Sequence, residues 1–504
     1  MKNITIIGAG ACGVAAFAEL FLSLVTKGLK DKVKITWMEK DGKWGHGLAF
    51  GTDQPGHLLN TQADLMGLYV NEPSHYVDWL DNKGGKSLDR VKGKGGLEDS
   101  YSSRQLYGRY LFEHSKSLIL EAKAAGLTVE LLHQKADGLQ REGDNYQLLS
   151  ENGDVISSDI VILALGTPKP NNFKHLLTHS NYIPFPWPSG PILEKMNQAE
   201  HIGILGSSLS AIDAVMTLVD NKYEGKISLY SPDGLVPRVQ PVKNKEVARN
   251  HLTMDAIYRI RRENRRGPLV KEIFRLFRKD VEEHTGEPLD WKELDREGKD
   301  VASLLQKDIA LAEEGGDPLM NVAYSLRYDS TPIWSLLSIE EKLKFMKWLG
   351  PDWGINRHGM PLPNAKKLQK LFKGNKLRVV PFFEDVAFSG KLGEFQMKIK
   401  DKPTESVQLL INATGSPGKL DEMESTLLRN MLNKGYLSPY RAGGVCVNEQ
   451  ILQLLSPKGG SGIYGLGHIL NGQLMDVNAV WFNVKCVSRM IKDITDRLLY
   501  GDFS

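Results

Sequence analysis

Residues 2–39 read KNITIIGAGACGVAAFAELFLSLVTKGLKDKVKITWME, and this stretch decides the fold. Lys2 to Ile7 is β-branched and free of turn residues, which predicts a short buried strand. Gly8, Gly10 and Gly13 follow at once in GAGACG, and then a small-residue helix, VAAFAELFLSLV. A second β-branched run, VKITWM, leads to Glu39. Strand, Gly-x-Gly-x-x-Gly, helix, strand and acid stand in the order of a dinucleotide-binding unit. The glycines have separate tasks. Gly8 makes the tight turn, Gly10 admits a pyrophosphate to the backbone, and Gly13 lets helix and sheet close up. Amides at the helix N-terminus then face the phosphates. Glu39 is placed to accept hydrogen bonds from an adenosine ribose and disfavours a 2′-phosphate. Cys12, small and in a crowded loop, reads as packing.

A second unit begins at His201. HIGIL (201–205) predicts a strand, and Gly206-Ser207-Ser208-Leu209-Ser210-Ala211 takes the place of GxGxxA before a helix. Serine stands where the middle glycine would be, which is tolerable if the pyrophosphate lies slightly further out. KISLY follows, with Ser231 at its tip and no acid there to hold a ribose. Arg238 is the nearest cation for a 2′-phosphate. A Rossmann-like domain that has lost tight nucleotide binding is the alternative reading.

The chain also repeats itself loosely. Thr128 to Pro170 runs strand, hairpin-like meander and strand, ending in Gly-Thr-Pro, and Leu377 to Gly418 has the same order, ending in Ala-Thr-Gly-Ser-Pro. Equivalent passages of this kind suggest two related domains. Extended backbone broken by proline suits a domain crossing, so crossings are expected near Thr167 and Gly415, with Thr414 and Gly415 close to a ligand. The expected architecture is α/β, with two Rossmann-like dinucleotide-binding domains, the second inserted in the first. Residues 1–170 and 406–504 form the first domain, and 171–405 the second, with a helical insertion over about 240–363. In two-dinucleotide flavoproteins a late strand and helix return to the flavin. Gly467, Asn471, Gly472 and Asp476 are the candidates for that place.

Composition sets the remaining bounds. The 504 residues carry 64 basic and 61 acidic side chains, a formal charge of +3, which asks for neither nucleic acid nor an anionic membrane. Three cysteines and no CxxC pair exclude a disulfide framework. The longest apolar stretch, Val14 to Val25, is interrupted by Glu19 and falls short of the ~20 residues of a membrane span. No export signal is evident, and a cytoplasmic location is expected. Twelve histidines lack paired ligand spacing, so no metal is expected. The basic run Lys243 to Lys279 has apolar residues at helical spacing and reads as amphipathic helices with solvated basic faces. An anion-gathering surface is its functional alternative.

Further blocks carry a resemblance. KWGHGLAFGT (43–52), HLLNTQADLMG (57–67), NEPSHYVDWL (71–80), RQLYGRYL (104–111), SPDGLVPR (231–238), WGINRHGMP (353–361) and INATGSP (411–417) join the two glycine turns and the GHILNG region. Together they resemble the bacterial FAD-NAD(P)-binding proteins, which are distantly related to flavin-dependent N-hydroxylating monooxygenases, including amino-acid N-oxygenases that form nitrosuccinate. The likeness spans nearly the whole chain. It departs from the family pattern at Gln62, Pro232, Gln240 and Gly359, where proline, arginine, histidine and arginine are usual. The absent arginine after Ser231 leaves NADPH against NADH open.

The resemblance implies FAD in the first domain, held by Gly8, Gly10, Gly13, Glu39, Lys40, Trp44, Gly45, Asn60 and Met66, with Thr414, Gly415, Gly467, Asn471 and Gly472 closing over it. NADPH or NADH falls to Gly206, Ser207, Ser208, Ser210 and Arg238. His57 and Asn60 are candidates to act beside the flavin. Arg357 is both a catalytic candidate and, with Arg104 and Arg109, a partner for substrate carboxylates. The implied reaction uses NAD(P)H and O2 to N-oxygenate a small amine or amino acid through a C4a-(hydro)peroxyflavin. An NAD(P)H-dependent reductase without oxygen insertion is one alternative. A structural flavoprotein with a protein partner is the other.

Overall fold

A computed structural model describes residues 1–83, 96–265, 267–290 and 295–501. In chain order, strand β1 (Lys2–Ile7) is followed by β2 (Val33–Met38) and β3 (Thr128–Leu132). Strands β4 (Ala136–Glu142), β5 (Asn145–Ser150) and β6 (Val155–Ser158) form an antiparallel meander before β7 (Ile160–Leu163). Strand β18 (Ile463–Gly465) returns late to complete a parallel sheet of order β18-β7-β1-β2-β3. Strands β1 and β7 are solidly apolar toward their C-terminal ends because helices cover both faces of a parallel sheet.

The second sheet repeats the plan. It comprises β8 (Tyr182–Ile183), β9 (His201–Leu205), β10 (Lys226–Tyr230), β13 (Leu377–Val380) and β17 (Leu409–Asn412), in the order β13-β10-β9-β17-β8. Its own antiparallel meander is β14 (Phe383–Ser389), β15 (Glu394–Ile399) and β16 (Glu405–Val407). Two two-residue strands, β11 (Val239–Gln240) and β12 (Met360–Pro361), bracket the helical insertion. Because β17 pairs with β9, the second sheet runs through Asn412, beyond the boundary expected at 405. The crossings themselves touch: Asn412 and Thr414 bond Asn172, and the Ser416 hydroxyl donates to the Pro168 carbonyl oxygen.

One core joins both segments of the first domain. Helix Ala11–Thr26 packs on the C-terminal helix Val480–Tyr500, and Phe17 stacks on Trp37 at 4.6 Å, a contact worth about 1 kcal/mol beyond area burial. In helix Arg104–Ala124, Ser103 caps the Leu106 N–H at 3.1 Å, and Tyr107 and Tyr110 are fully buried. Gly108 belongs there because a Cβ would sit 2.1 Å from the Phe50 carbonyl oxygen. The insertion has a separate core, with Leu252, Ile257, Phe277, Val322 and Trp334 among its members. It rests on the first domain as well as the second, for Trp334 donates to the Gly472 carbonyl oxygen at 2.8 Å.

Candidate functional site

The first glycine turn is fixed by backbone on every side but one. Gly8, at φ +103°, would place a Cβ 2.2 Å from the Ala164 carbonyl oxygen, and Gly13 would place one 2.0 Å from the Gly8 carbonyl oxygen. At Gly10 a Cβ meets only the Cα of Gly47, at 3.5 Å. Gly8 and Gly13 are therefore required by the protein itself, whereas Gly10 leaves room on the ligand side. Glu39, at the tip of β2, is buried and accepts the Ala9 N–H at 2.7 Å and the Asp41 N–H at 3.3 Å. Those bonds hold its carboxylate across the turn, where a ribose diol would lie. The residues fit an adenine dinucleotide.

The surrounding loop supports this. Gly45 donates its N–H to the Ala9 carbonyl oxygen at 2.8 Å, and a Cβ there would meet the Phe112 backbone. The Trp44 indole N–H is buried with no protein acceptor, as expected of a group that serves a ligand. Asn60 is half-buried, and Met66 is buried with its carbonyl oxygen taking the Tyr107 hydroxyl. Lys40 is exposed and only 3.8 Å from Asp41, so it lies outside this cradle. In the return segment, a Cβ at Gly467 would meet the Cys12 sulfur at 3.6 Å, and the Gly467 N–H donates to Asn483 Oδ1 at 3.0 Å. Burial raises the Cys12 thiol, which leaves it an inert packing group. Gly472 sits at φ +85° with no room for a Cβ beside the Ala442 carbonyl oxygen, and Asn471 lies alongside Gly418.

The second turn copies the first. The Gly206 N–H bonds the Tyr230 carbonyl oxygen as the Gly8 N–H bonds that of Met38, and a Gly206 Cβ would meet the Ala413 carbonyl oxygen at 2.7 Å. Ser208 is exposed at the N-cap of helix Leu209–Asp220 and makes no side-chain cap bond. The first-turn amides therefore stay open to an anion. Ser207 is used internally, donating to the Leu235 carbonyl oxygen, while Ser210 is half-buried in the first turn. Thr414 bonds Asn172 and Asn412, and Gly415 holds φ +85° beside it.

Arg238 is a correction. Its guanidinium is buried between Asp308 and Asp317, reached at 3.1 and 2.6 Å, with Asn356 at 3.1 Å. Two carboxylates already neutralise it, so it is not available to a 2′-phosphate. Gly359 has a steric reason for departing from the family arginine, since its Cβ would lie 2.8 Å from the Arg238 carbonyl oxygen.

The three arginines expected at a substrate carboxylate do not come together. Arg109 is exposed and pairs with Glu113 on the outer face of its own helix. Arg104 bonds Asp213 at 2.8 Å and the Leu58 carbonyl oxygen at 3.3 Å, in the joint between domains. His57 belongs to that joint too. It contacts Thr52 through Nδ1, and the Asp213 carbonyl oxygen and the Thr217 hydroxyl through Nε2, all at 2.9 Å. A side chain with both ring nitrogens engaged in this way has no free atom for chemistry beside a flavin.

Arg357 is placed differently. It is buried, its Nε has no partner, and it lies 3.6 Å from Asp476, whose other oxygen accepts from Ser330. Burial lowers the Arg357 pKa, opposed by Asp476, and raises that of Asp476, opposed by Arg357. Around them stand Arg327 and Tyr324, which no motif flagged, and Gln62 and Asp64 of the 57–67 block. The Arg327 guanidinium lies over the Tyr324 ring at 3.7 Å, and Tyr324 donates to Gln62 Oε1 at 2.8 Å. The carboxyl of Asp64, raised by burial and lowered by Arg327, has one buried oxygen without a partner. Gln62, a departure from the family proline, also donates to the Val242 carbonyl oxygen at 2.8 Å and so ties insertion to first domain. The result is a cluster of both charge signs, buried at Arg357 and Asp476 and half-buried at Asp64, Tyr324 and Arg327. Only distant tertiary packing assembles it, and periodicity carries no sign of that.

Among the described residues, His251, Asp280 and Glu283 bring potential metal-ligating atoms within 4.8 Å of one another. Asp280 is already occupied by the backbone N–H groups of Asn250, His251 and Leu252, which makes it a loop anchor. No described helix is long and apolar enough to cross a membrane.

Comparison with known proteins agrees with this geometry. Residues 5–168 match the FAD-NAD(P)-binding family model. The chain is 23% identical over 488 residues to the uncharacterized protein YdhS of Escherichia coli, covering 86% of this chain and 87% of that one. Ornithine hydroxylase of Pseudomonas aeruginosa shares the fold at a TM-score of 0.61 and 12% identity, over 99% of both chains. A Kutzneria ornithine N-hydroxylase, solved with reduced FAD, NADP+ and L-ornithine, has a TM-score of 0.59 at 11% identity, over 99% of this chain and 100% of that one. Residues 5–168 are thus similar to an FAD-NAD(P)-binding domain, and the whole chain shares the two-domain fold of these two hydroxylases.

Proposed function

We propose that this chain is an FAD-dependent monooxygenase that takes electrons from NAD(P)H and N-oxygenates a small amine or amino acid. The observation that carries the reading is the buried Arg357–Asp476 pair. It stands beside the return segment of a two-turn dinucleotide fold, with an unpartnered guanidinium Nε and Arg327 within electrostatic reach. In overall balance, R–NH2, O2, NAD(P)H and a proton give R–NHOH, water and NAD(P)+. Bound FAD supplies the passage of hydride equivalents to oxygen, and the protein supplies position, polarity and exclusion of water.

The roles of the chain's own residues follow. Gly8, Gly10, Gly13 and Glu39 hold the flavin dinucleotide, and the uncapped turn at Ser208 receives the nicotinamide dinucleotide. Arg357 and Arg327 bind a substrate carboxylate through charge-assisted hydrogen bonds. Asp476 faces the ammonium end. Burial raises its pKa, which favours taking up a proton as the amine becomes neutral. The aromatic and aliphatic walls of the insertion limit water at this position.

The test is a product balance. Purified protein with FAD is supplied with NADPH or NADH, O2 and a panel of amino acids and amines, and N-oxygenated product, hydrogen peroxide and nicotinamide consumption are measured together. Product rising one-for-one with nicotinamide oxidised, for one class of amine, supports the reading. Nicotinamide oxidation that yields peroxide alone with every amine favours the reductase alternative. No acceleration of nicotinamide oxidation favours the structural flavoprotein.

A further inference from the structure

The helical insertion contains a cavity of about 370 Å³. Its walls come from four parts of the insertion: Ile273 and Phe277 of helix Leu269–Thr285, Leu326, Trp334 and Trp353. Met475 of the return segment closes one side. Packing defects inside proteins are rarely larger than a water molecule, whereas small-molecule sites run from ~300 Å³ upward and are mostly apolar with a few placed polar groups. This cavity has the second character. Among the described residues that line it, the polar side chains besides the two indoles are Ser330, Asn356, Asp295 and Asp352, and the two charged ones are both acids.

Among the described residues, no lysine or arginine lines the cavity beside these acids. Among the described residues, the charged groups that act on the Asp352 carboxyl are carboxylates: Asp295, Asp233 and Glu297. Arg238 and Arg296, the neighbouring arginines, are spent on Asp308. Asn356, which also lines the cavity, takes Arg238 Nη1 on its side-chain oxygen and gives its amide N–H to the Asp352 carbonyl oxygen. An apolar chamber with anionic groups, and no cation among the described residues of its lining, selects an apolar body that carries a positive head.

We propose that this cavity is a binding site for a lipophilic primary amine, with the alkyl body among Ile273, Phe277, Leu326 and Trp334 and the ammonium at Asp352 and Asp295. The site belongs to the insertion, separate from the Arg357–Asp476 cluster, and does not depend on the redox reading. It is nevertheless coupled to the first domain, since Trp334 bonds Gly472 and Ser330 bonds Asp476.

Binding is tested on the FAD-loaded full-length protein without turnover. Calorimetry and tryptophan fluorescence are recorded with n-decylamine, decanoate and n-decanol below their aggregation limits. Saturable one-to-one binding of decylamine, at least tenfold tighter than decanoate and tighter than decanol, is expected. Asp352→Asn, an exposed position, is expected to weaken decylamine severalfold and leave decanol unchanged. Ile273→Trp, which fills the chamber from a half-buried helix position, is expected to remove all three, with flavin content and circular dichroism as controls on folding. Absence of saturable binding overturns the site. Equal affinity for decylamine and decanoate or decanol overturns the cationic head, and full binding in a folded Ile273→Trp protein overturns the location.

Discussion

The Nε2 atom of His57, in the first domain, lies 2.9 Å from the carbonyl oxygen of Asp213, in the second. Burial lowers the His57 pKa, so the ring is neutral and carries one N–H. A neutral imidazole satisfies its neighbours if Nε2–H donates to Asp213 while Nδ1 accepts the Thr52 hydroxyl. Arg104 reinforces the same joint through the Asp213 carboxylate.

His57→Leu removes the ring's bonds to the Thr52 hydroxyl and, across the joint, to the Asp213 carbonyl oxygen and the Thr217 hydroxyl, which keep only each other and Ser189. A loss of about 1–3 kcal/mol is expected, seen as a lower thermal midpoint with flavin content intact. The rate of flavin reduction by NAD(P)H is expected to change as the domains loosen. If the midpoint stays at its wild-type value while flavin chemistry fails, His57 is a catalytic group and not a joint.

Gly8 and Gly10 separate structure from ligand. Gly8→Ala drives a methyl to 2.2 Å from the Ala164 carbonyl oxygen at a positive φ, and is expected to yield little folded protein. Gly10→Ala meets only Gly47 Cα at 3.5 Å, so folded protein with near wild-type circular dichroism but sharply reduced FAD is expected. Flavin-to-protein absorbance ratio after purification is the measurement. A Gly10→Ala protein with full flavin content removes the assigned dinucleotide turn.

The glycine turns were open to reading because their chemistry is local. Strand, turn, helix and acid lie within forty residues, and the geometry at Gly8, Gly13 and Glu39 follows from that order. The meander repeat was legible for the same reason, as each copy occupies one continuous passage. What escaped was set by partners distant in sequence. Nothing near Arg238 announces that Asp308 and Asp317 will enclose it, and nothing near His57 announces Asp213. Arg327 and Tyr324 carry no motif at all, and nothing in the 57–67 block singles out Asp64. They become a cluster only when the insertion folds back over the first domain. The boundary at 405 missed because β16 and β17 are separated by a single residue, and hydrophobic runs do not say which sheet a strand joins.

Acid sensitivity is expected from His114. It lies in helix Arg104–Ala124 with Nε2 2.6 Å from the Tyr69 hydroxyl, and burial, aided by His75, lowers its pKa to about 4. In the unfolded chain the value returns to about 6.5. Below that pH the unfolded state binds the proton and the folded state does not, so stability falls between about pH 6.5 and 4 and is flat above. His57 and His75 act in the same direction, whereas buried Asp213 and Asp476, with raised pKa values, act oppositely. The difference between wild type and His114→Gln isolates the one residue. That difference is expected to shift against the wild type by up to ~2 kcal/mol from pH 7 to pH 5. A pH-independent difference in thermal midpoints sinks the assignment.

Arg357 carries the substrate reading, and its environment says which variant is informative. Arg357→Gln removes a buried charge and leaves Asp476 without its cation, so a drop in stability of about 3 kcal/mol or more is expected. Arg357→Lys keeps the charge but loses the planar fork, and the unpartnered Nε with it. With the lysine variant, FAD content and reduction by NAD(P)H in the absence of amine are expected to match wild type. The KM for a carboxylate-bearing amine is expected to rise at least tenfold, while that for an amine without a carboxylate moves little. This split distinguishes recognition of a carboxylate from a purely structural pair, which would alter both substrates alike. Equal effects on the two amines would place Arg357 in the scaffold and shift the carboxylate to Arg327, whose guanidinium lies against the Tyr324 ring on the same cluster.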